Sequence, residues 1–347
     1  MSDIGSQTLG SEHKLRERFD AIYFDLDGVL YRGLSAVDGA AEAISEISEA
    51  GCGIAFVTNN ASRTPDDVAS HLRELGIPAK STEVVTASQV AVEILQQYVS
   101  PGERVFVVGG DGVEQALLGA GYVASRDSRE CVAVVQGFGP EVSWRDLAHA
   151  SYLIQGGAIW IVTNLDSTFP TASGIAPGNG SLVDAVRNAA GRDPDGVGGK
   201  PDRAMMDRTR AAVPGERPLL VGDRYDTDIA AGIAAGIPTM LVLSGVTQTA
   251  DVWSANLRAD YICESVQGLI CGYPDSSTIT EGHVCGGARA TFVEMEMCVR
   301  ATGGTRLNRL RAADSLKWAM ADEVGLDAFT QGRITLDLGV FDLGQGE

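Results

Sequence analysis

The feature that most restricts the fold is a short apolar run, Ala21-Ile22-Tyr23-Phe24, that stops at Asp25-Leu26-Asp27-Gly28. A run apolar on both faces suits a parallel strand covered by helices. Carboxylates just past such a strand lie at the carboxyl edge of the sheet, where open α/β folds hold their ligands. Gly28 lets the chain turn sharply there. Taken alone, the string also fits a common surface turn, so the rest of the chain has to decide.

Strand-like runs alternate with helical ones from Ile22 to about Leu243, the pattern of a largely parallel sheet. A first helix is expected from Gly39 to Ala50, capped by Gly51, and a second from Pro65 to Leu75 with Thr64 as its N-cap. About 140 residues separate Thr58 from Lys200, far more than one crossover needs. That interval repeats the pattern. Val105–Val108, Val132–Val135 and Ile159–Val162 read as strands, and 88–98, 112–120, 143–155 and 180–190 as helices. Residues 84–196 are therefore expected to form a second α/β module inserted into the first.

Three further strings share the setting of Asp25 and Asp27. Val57-Thr58-Asn59-Asn60 ends a second apolar run, Gly199-Lys200-Pro201 places a lysine in a Gly/Pro-rich loop, and Leu219 to Asp228 is another strand ending in Gly222-Asp223, with Asp228 one helical turn later. In this order the four strings resemble the motifs of the haloacid dehalogenase superfamily of phosphohydrolases, in its p-nitrophenyl phosphatase-like branch. That branch includes glycerol 3-phosphate, phosphoglycolate and pyridoxal phosphate phosphatases. Ala234 to Pro238 and Leu241 to Val246 also resemble it, and the resemblance spans roughly residues 18 to 270.

The resemblance implies a Rossmann-like α/β core over 18–83 and 197–272, with a cap domain over 84–196. It implies that Asp25 attacks phosphorus and that Asp27 serves as general acid and base. Asp223 would join Asp25 and the Asp27 main-chain carbonyl in holding Mg²⁺, with Asp228 in support; oxygen-only ligands suit that ion. Lys200 would pair with the phosphoryl oxygens, while Thr58, Asn59 and Asn60 would bind phosphate. Asn164 and Asp166, on a presumed cap loop, are the candidate substrate-facing residues, although an ordinary Asx turn is an equal reading. Glycerol 3-phosphate is the expected substrate, with phosphoglycolate or a sugar phosphate next. A phospho-ligand-binding regulator is the non-enzyme alternative, and a phosphomutase would normally carry a smaller cap elsewhere in the chain.

Composition narrows the field further. The formal charge of −19 argues against nucleic acid and requires any phosphate site to bring its own positive charge. No apolar stretch approaches the roughly 18 residues that span a membrane, and residues 1–17 are polar enough to read as a flexible tail on a cytoplasmic protein. The six cysteines show no CxxC spacing and read as free thiols; the four histidines are scattered and make no metal cluster. Val107 to Gly112 lacks the third glycine of a dinucleotide turn, and Gly199-Lys200 lacks the flanking residues of a P-loop.

Beyond about residue 272 the resemblance ends. Tyr273–Gly287 reads as a linker, Thr291–Val299 as a strand, Arg306–Val324 as an amphipathic helix and Arg333–Phe341 as a strand. Residues 275–347 are thus expected to form a small β-α-β extension, too short for a whole acetyltransferase-like fold. Its apolar helix face would pack on the body or on a second copy in a homodimer.

Overall fold

The computed structural model describes residues 13–171, 173–279 and 282–339. A six-stranded, all-parallel sheet forms the core, in the order Tyr261–Cys263, Thr239–Val242, Pro218–Gly222, Ala21–Phe24, Gly53–Thr58, Val84–Thr86. Ala21–Phe24 is central because all four of its residues are fully buried, which only helices on both faces can achieve. Ile22 and Phe24 face one apolar layer with Ile44, Ile47 and Leu72; Ala21 and Tyr23 face the other with Met205 and Met206. The register pairs Phe24 with Val221 on one side and Phe56 on the other. The residues that follow these three strands therefore emerge side by side.

The expected helices form as Ala40–Glu49 and Pro65–Glu74, and the Thr64 hydroxyl caps the second through the Asp67 N–H. The insertion builds its own parallel sheet: Gly196–Val197, Ile159–Val162, Ala133–Gln136, Arg104–Val108, Val123–Ser125. Its helices run Ala87–Leu95, Asp111–Gly119, Trp144–Gln155 and Asn179–Ala190. Two boundaries move from the expectation. Val84–Thr86 completes the core sheet, and Gly196–Val197 pairs with the cap strand Ile159–Val162. A hairpin of Thr168–Thr171 and Gly174–Pro177 also projects from the cap.

Residues 14–16, expected to be loose, are packed. Leu15 is fully buried, its N–H donates to the Cys271 carbonyl at 3.0 Å, and Lys14 and Arg16 both reach Glu46. Residues 1–12 lie outside the described residues.

The C-terminal module is fuller than a β-α-β. The stretch read as a linker contributes Ser276–Ile279 and Gly282–Cys285 to a five-stranded sheet. The single strand expected over 291–299 is a hairpin: Ala288–Val293 turns through Glu294–Glu296 and returns as Cys298–Gly303. Met297 makes the turn with a left-handed φ of 47°, which alternation of apolar residues does not reveal. The β-α-β is present within this sheet, because Cys298–Gly303 pairs in parallel with Thr335–Asp337 across the helix Arg306–Val324. Residues 340 and 341 of the expected last strand lie outside the described residues. The helix is sandwiched: Ala312, Ala313 and Leu316 pack on its own sheet, and Leu310 packs on Ile229, Leu241 and Val252 of the catalytic body. All six cysteines are free thiols, as expected.

Candidate active site

Asp25 leaves the central strand with its N–H donating to the Val221 carbonyl at 2.9 Å, which fixes it beside Gly222-Asp223. Ligand oxygens of Asp25, Asp223 and Asp228 all lie within 4.8 Å of one another. Asp228 reaches back from the turn Tyr225–Ile229, and its carboxylate accepts the Asp223 and Arg224 N–H groups at 3.2 and 3.1 Å. Asp223 accepts the Val246 N–H at 2.6 Å. Glycines give this cluster its room. A side chain at Gly28 (φ +83°), Gly222 or Gly245 would collide with Asp223 or Asp228.

One cation enters the cluster. The fully buried Lys200 ammonium lies 2.5 Å from Asp25 and 2.7 Å from Asp228. Burial alone would lower its pKa, but the two carboxylates hold it above the ordinary lysine value. Three carboxylates against one ammonium leave the site short of positive charge. Burial, then Asp228, pushes Asp223 up to about 7, and burial also drives Asp25 well above the carboxylate range despite Lys200. Oxygen-only donors, an excess of negative charge and a glycine cradle fit a hard divalent cation.

Asp27 is not one of the three converging acids. It is exposed, and its carboxylate accepts the Tyr31 hydroxyl at 3.5 Å. The enclosing walls desolvate it and raise its pKa, against the opposing pull of Arg63, Tyr31 and His71. An exposed carboxyl with a raised pKa has the character of a general acid. Tyr31 and Arg63 carried no sequence signal for this placement.

The remaining candidates divide. The buried Thr58 hydroxyl accepts the Asn60 N–H at 3.0 Å and keeps its own proton to donate. The Asn59 side chain is spent on structure: Nδ2 donates to Asp166 (3.1 Å) and to the Lys200 carbonyl (3.0 Å), and Oδ1 accepts the Lys200 N–H (2.8 Å). It braces the lysine loop, so its side chain is not a free phosphate donor. Asn60 is exposed, and its Oδ1 accepts the Ser62 N–H and hydroxyl at 2.9 and 2.7 Å, a turn that leaves its Nδ2 unused. Asn164, expected to face substrate, is buried; it donates to the Asn59 carbonyl at 2.8 Å and accepts the Asp166 N–H at 3.1 Å, the Asx turn. Asp166 remains at the cap–core seam with one oxygen on Asn59, its pKa raised by burial, and with Arg224 and Lys200 in electrostatic reach. Arg224 was missed as a second cation beside Asp166 and Asp223, because an arginine in a polar turn carries no distinguishing pattern. It chelates Asp226 and feels Asp166 and Asp223.

Comparison with known proteins agrees with this geometry. Residues 22–123 match the haloacid dehalogenase-like hydrolase family and residues 197–269 match a second, HAD-hydrolase-like family. A D-glycerol 3-phosphate phosphatase of Mycobacterium tuberculosis is 40% identical over 259 residues, 74% of this chain and 72% of that protein. An acid sugar phosphatase of Staphylococcus aureus is 35% identical over 71% of this chain and 94% of that protein. Among solved structures, the magnesium complex of a glycerol phosphate phosphatase from Mycobacterium tuberculosis superposes with a TM-score of 0.79 at 35% identity. That likeness covers 88% of this chain and 92% of the other, more than residues 1–272 can supply, so it reaches into the C-terminal module.

Proposed function

The chain belongs to the haloacid dehalogenase-like hydrolases, and on that premise we propose that it is a Mg²⁺-dependent phosphatase whose preferred substrate is glycerol 3-phosphate. The observation that carries the reading is the constellation at one sheet edge: Asp25, Asp223 and Asp228 around Lys200, with the exposed Asp27 two residues after Asp25.

Asp25 attacks phosphorus in line, held by the Lys200 ammonium at 2.5 Å. The bond from phosphorus to the leaving oxygen breaks, and Asp27 gives that oxygen its proton. The resulting aspartyl-phosphate is then cleaved by water, whose proton returns to Asp27, and phosphate leaves with Asp25 restored. Lys200 and the Thr58 hydroxyl donate to the phosphoryl oxygens as charge builds on them. Mg²⁺ bound by Asp25, Asp223, Asp228 and the Asp27 carbonyl would neutralise that charge and shield Asp25 from an anionic substrate.

Glycerol 3-phosphate is favoured over a sugar phosphate by the 40% identical relative and by Asp166. With one oxygen held by Asn59, Asp166 has its other oxygen to accept a hydroxyl of a short polyol. The test is a panel of small phosphomonoesters, including phosphoglycolate and sugar phosphates, assayed with Mg²⁺. Glycerol 3-phosphate should head the panel, EDTA should abolish turnover and Mg²⁺ restore it. Hydrolysis that survived exhaustive chelation, or none on any phosphomonoester, would overturn the reading.

A further inference from the structure

Two backbone segments shape the acidic cluster, and both lie against the C-terminal module. The turn Tyr225–Ile229 carries Asp228, and its Tyr225 and Ile229 pack with Leu307 and Leu310 of the helix Arg306–Val324. The segment after Ser244 wraps Asp223: the Val246 N–H holds its carboxylate at 2.6 Å, and the Thr247 N–H donates to its main-chain carbonyl at 3.2 Å. Within two residues that segment becomes the short helix Thr249–Ser254.

The module grips this short helix firmly. Lys317 is fully buried, and its ammonium donates to the carbonyls of Val252 (3.2 Å) and Ala255 (2.7 Å), where the chain leaves the helix for extended backbone. These are carbonyls at a helix C-terminus, which a cation complements. Trp253 turns into the module, with its indole N–H on the Ile334 carbonyl at 3.0 Å and its ring edge-on to Phe329 at 5.3 Å.

We propose that Lys317 and Leu310 are positioning residues for the cation site, fixing from behind the two segments that carry and wrap Asp223 and Asp228. The inference rests on the cation site of the proposed function. Three converging carboxylates repel one another; the Lys200 ammonium bridges Asp25 and Asp228, and the backbone must supply the rest of the restraint before a divalent cation arrives. Once the module's grip loosens, the segments relax apart, and binding must first draw them back. That cost falls on cation affinity. With the site saturated, the acids are in place again and the chemical step is nearly unchanged.

The experiment titrates Mg²⁺ calorimetrically into the full-length protein and its variants Lys317→Met and Leu310→Ala, with Met295→Ser, fully exposed on the module, as the control. Turnover is measured in parallel against Mg²⁺ concentration. Supporting residues behind metal ligands typically set about 10–100-fold in affinity, so Mg²⁺ binding should weaken by about tenfold in both variants. Their kcat at saturating Mg²⁺ should stay within about threefold and KM for substrate should not move. Should Lys317→Met fail to fold, Leu310→Val carries the same test with a smaller shift. Folded variants that melt earlier yet bind Mg²⁺ like the wild type would overturn the proposal, as would a fallen kcat at unchanged affinity. A wild-type protein that bound no Mg²⁺ would instead remove the proposed function itself.

Discussion

Lys200 and Lys317 are both buried lysines on seams of the catalytic body, and they solve the cost of burial in opposite ways. Lys200, on the seam with the cap, is met by two carboxylates and stays above its ordinary pKa. Lys317, on the seam with the C-terminal module, is met by carbonyl oxygens, and burial pulls it down to about 8, with Asp314 opposing. Full charges compensate a buried ammonium; dipoles compensate it only in part. The first seam therefore holds a permanent cation where the proposed function puts phosphate, and the second holds a cation that can be given up within reach of ordinary buffers.

The sharpest way to break this contrast is at the partner of Lys200. Asp25→Asn should reduce turnover by about 10⁴-fold or more, since it removes the nucleophile and a cation ligand together. The protein should keep its circular dichroism spectrum; residual wild-type activity would end the assignment. Lys200→Met comes next, with kcat lowered by about 10²–10³-fold. It should also melt earlier, because Asp228 is left buried without its cation. A variant as active as the wild type would make Lys200 merely structural.

Asp166→Ala probes the same seam one bond further out, through Asn59. Its kcat/KM on glycerol 3-phosphate should fall by about tenfold, the worth of one hydrogen bond, while the rate on p-nitrophenyl phosphate stays within about threefold. An unchanged substrate ranking would move specificity elsewhere in the cap.

The smallest effect separates the lysines by pH. Unfolded, Lys317 holds its proton up to its ordinary 10.5, but folded it releases the proton near 8. Between those values the unfolded chain binds more protons, so raising the pH favours the folded state. The wild type should therefore gain melting temperature relative to Lys317→Met from pH 8 to 10.5. A constant difference across that window would mean that Lys317 keeps its charge, as Lys200 does.

Some of this was legible in the chain. The central strand, the two-module pattern and the motif acids could be read because each depends on a local string: an apolar run, a carboxylate after it, a glycine to turn on. The helix Arg306–Val324 was legible to the residue; the Thr64 cap follows from side-chain chemistry within one turn, and Gly51 from the left-handed backbone (φ 75°) that a residue without Cβ adopts freely. The bracing roles of the Asn59 and Asn164 side chains were hidden for one reason. An amide is equally able to donate to phosphate or to backbone, and its partner, such as the Lys200 carbonyl 141 residues away, is not visible locally. Ser276–Ile279 and Gly282–Cys285 were missed because the first is a largely exposed edge strand, the second is half-buried, and neither carries much apolar alternation.

By itself, then, the sequence determined an α/β chain with a phosphate-directed acid edge, because strand burial and the order of the motif strings are properties of contiguous residues. Only the tertiary structure decided which amides brace, which acids converge, and how the C-terminal module sits behind the acidic cluster. Those outcomes depend on register between strands, as between Phe24 and Val221, and on contacts such as Lys317 with Ala255, where residues far apart in the chain become neighbours.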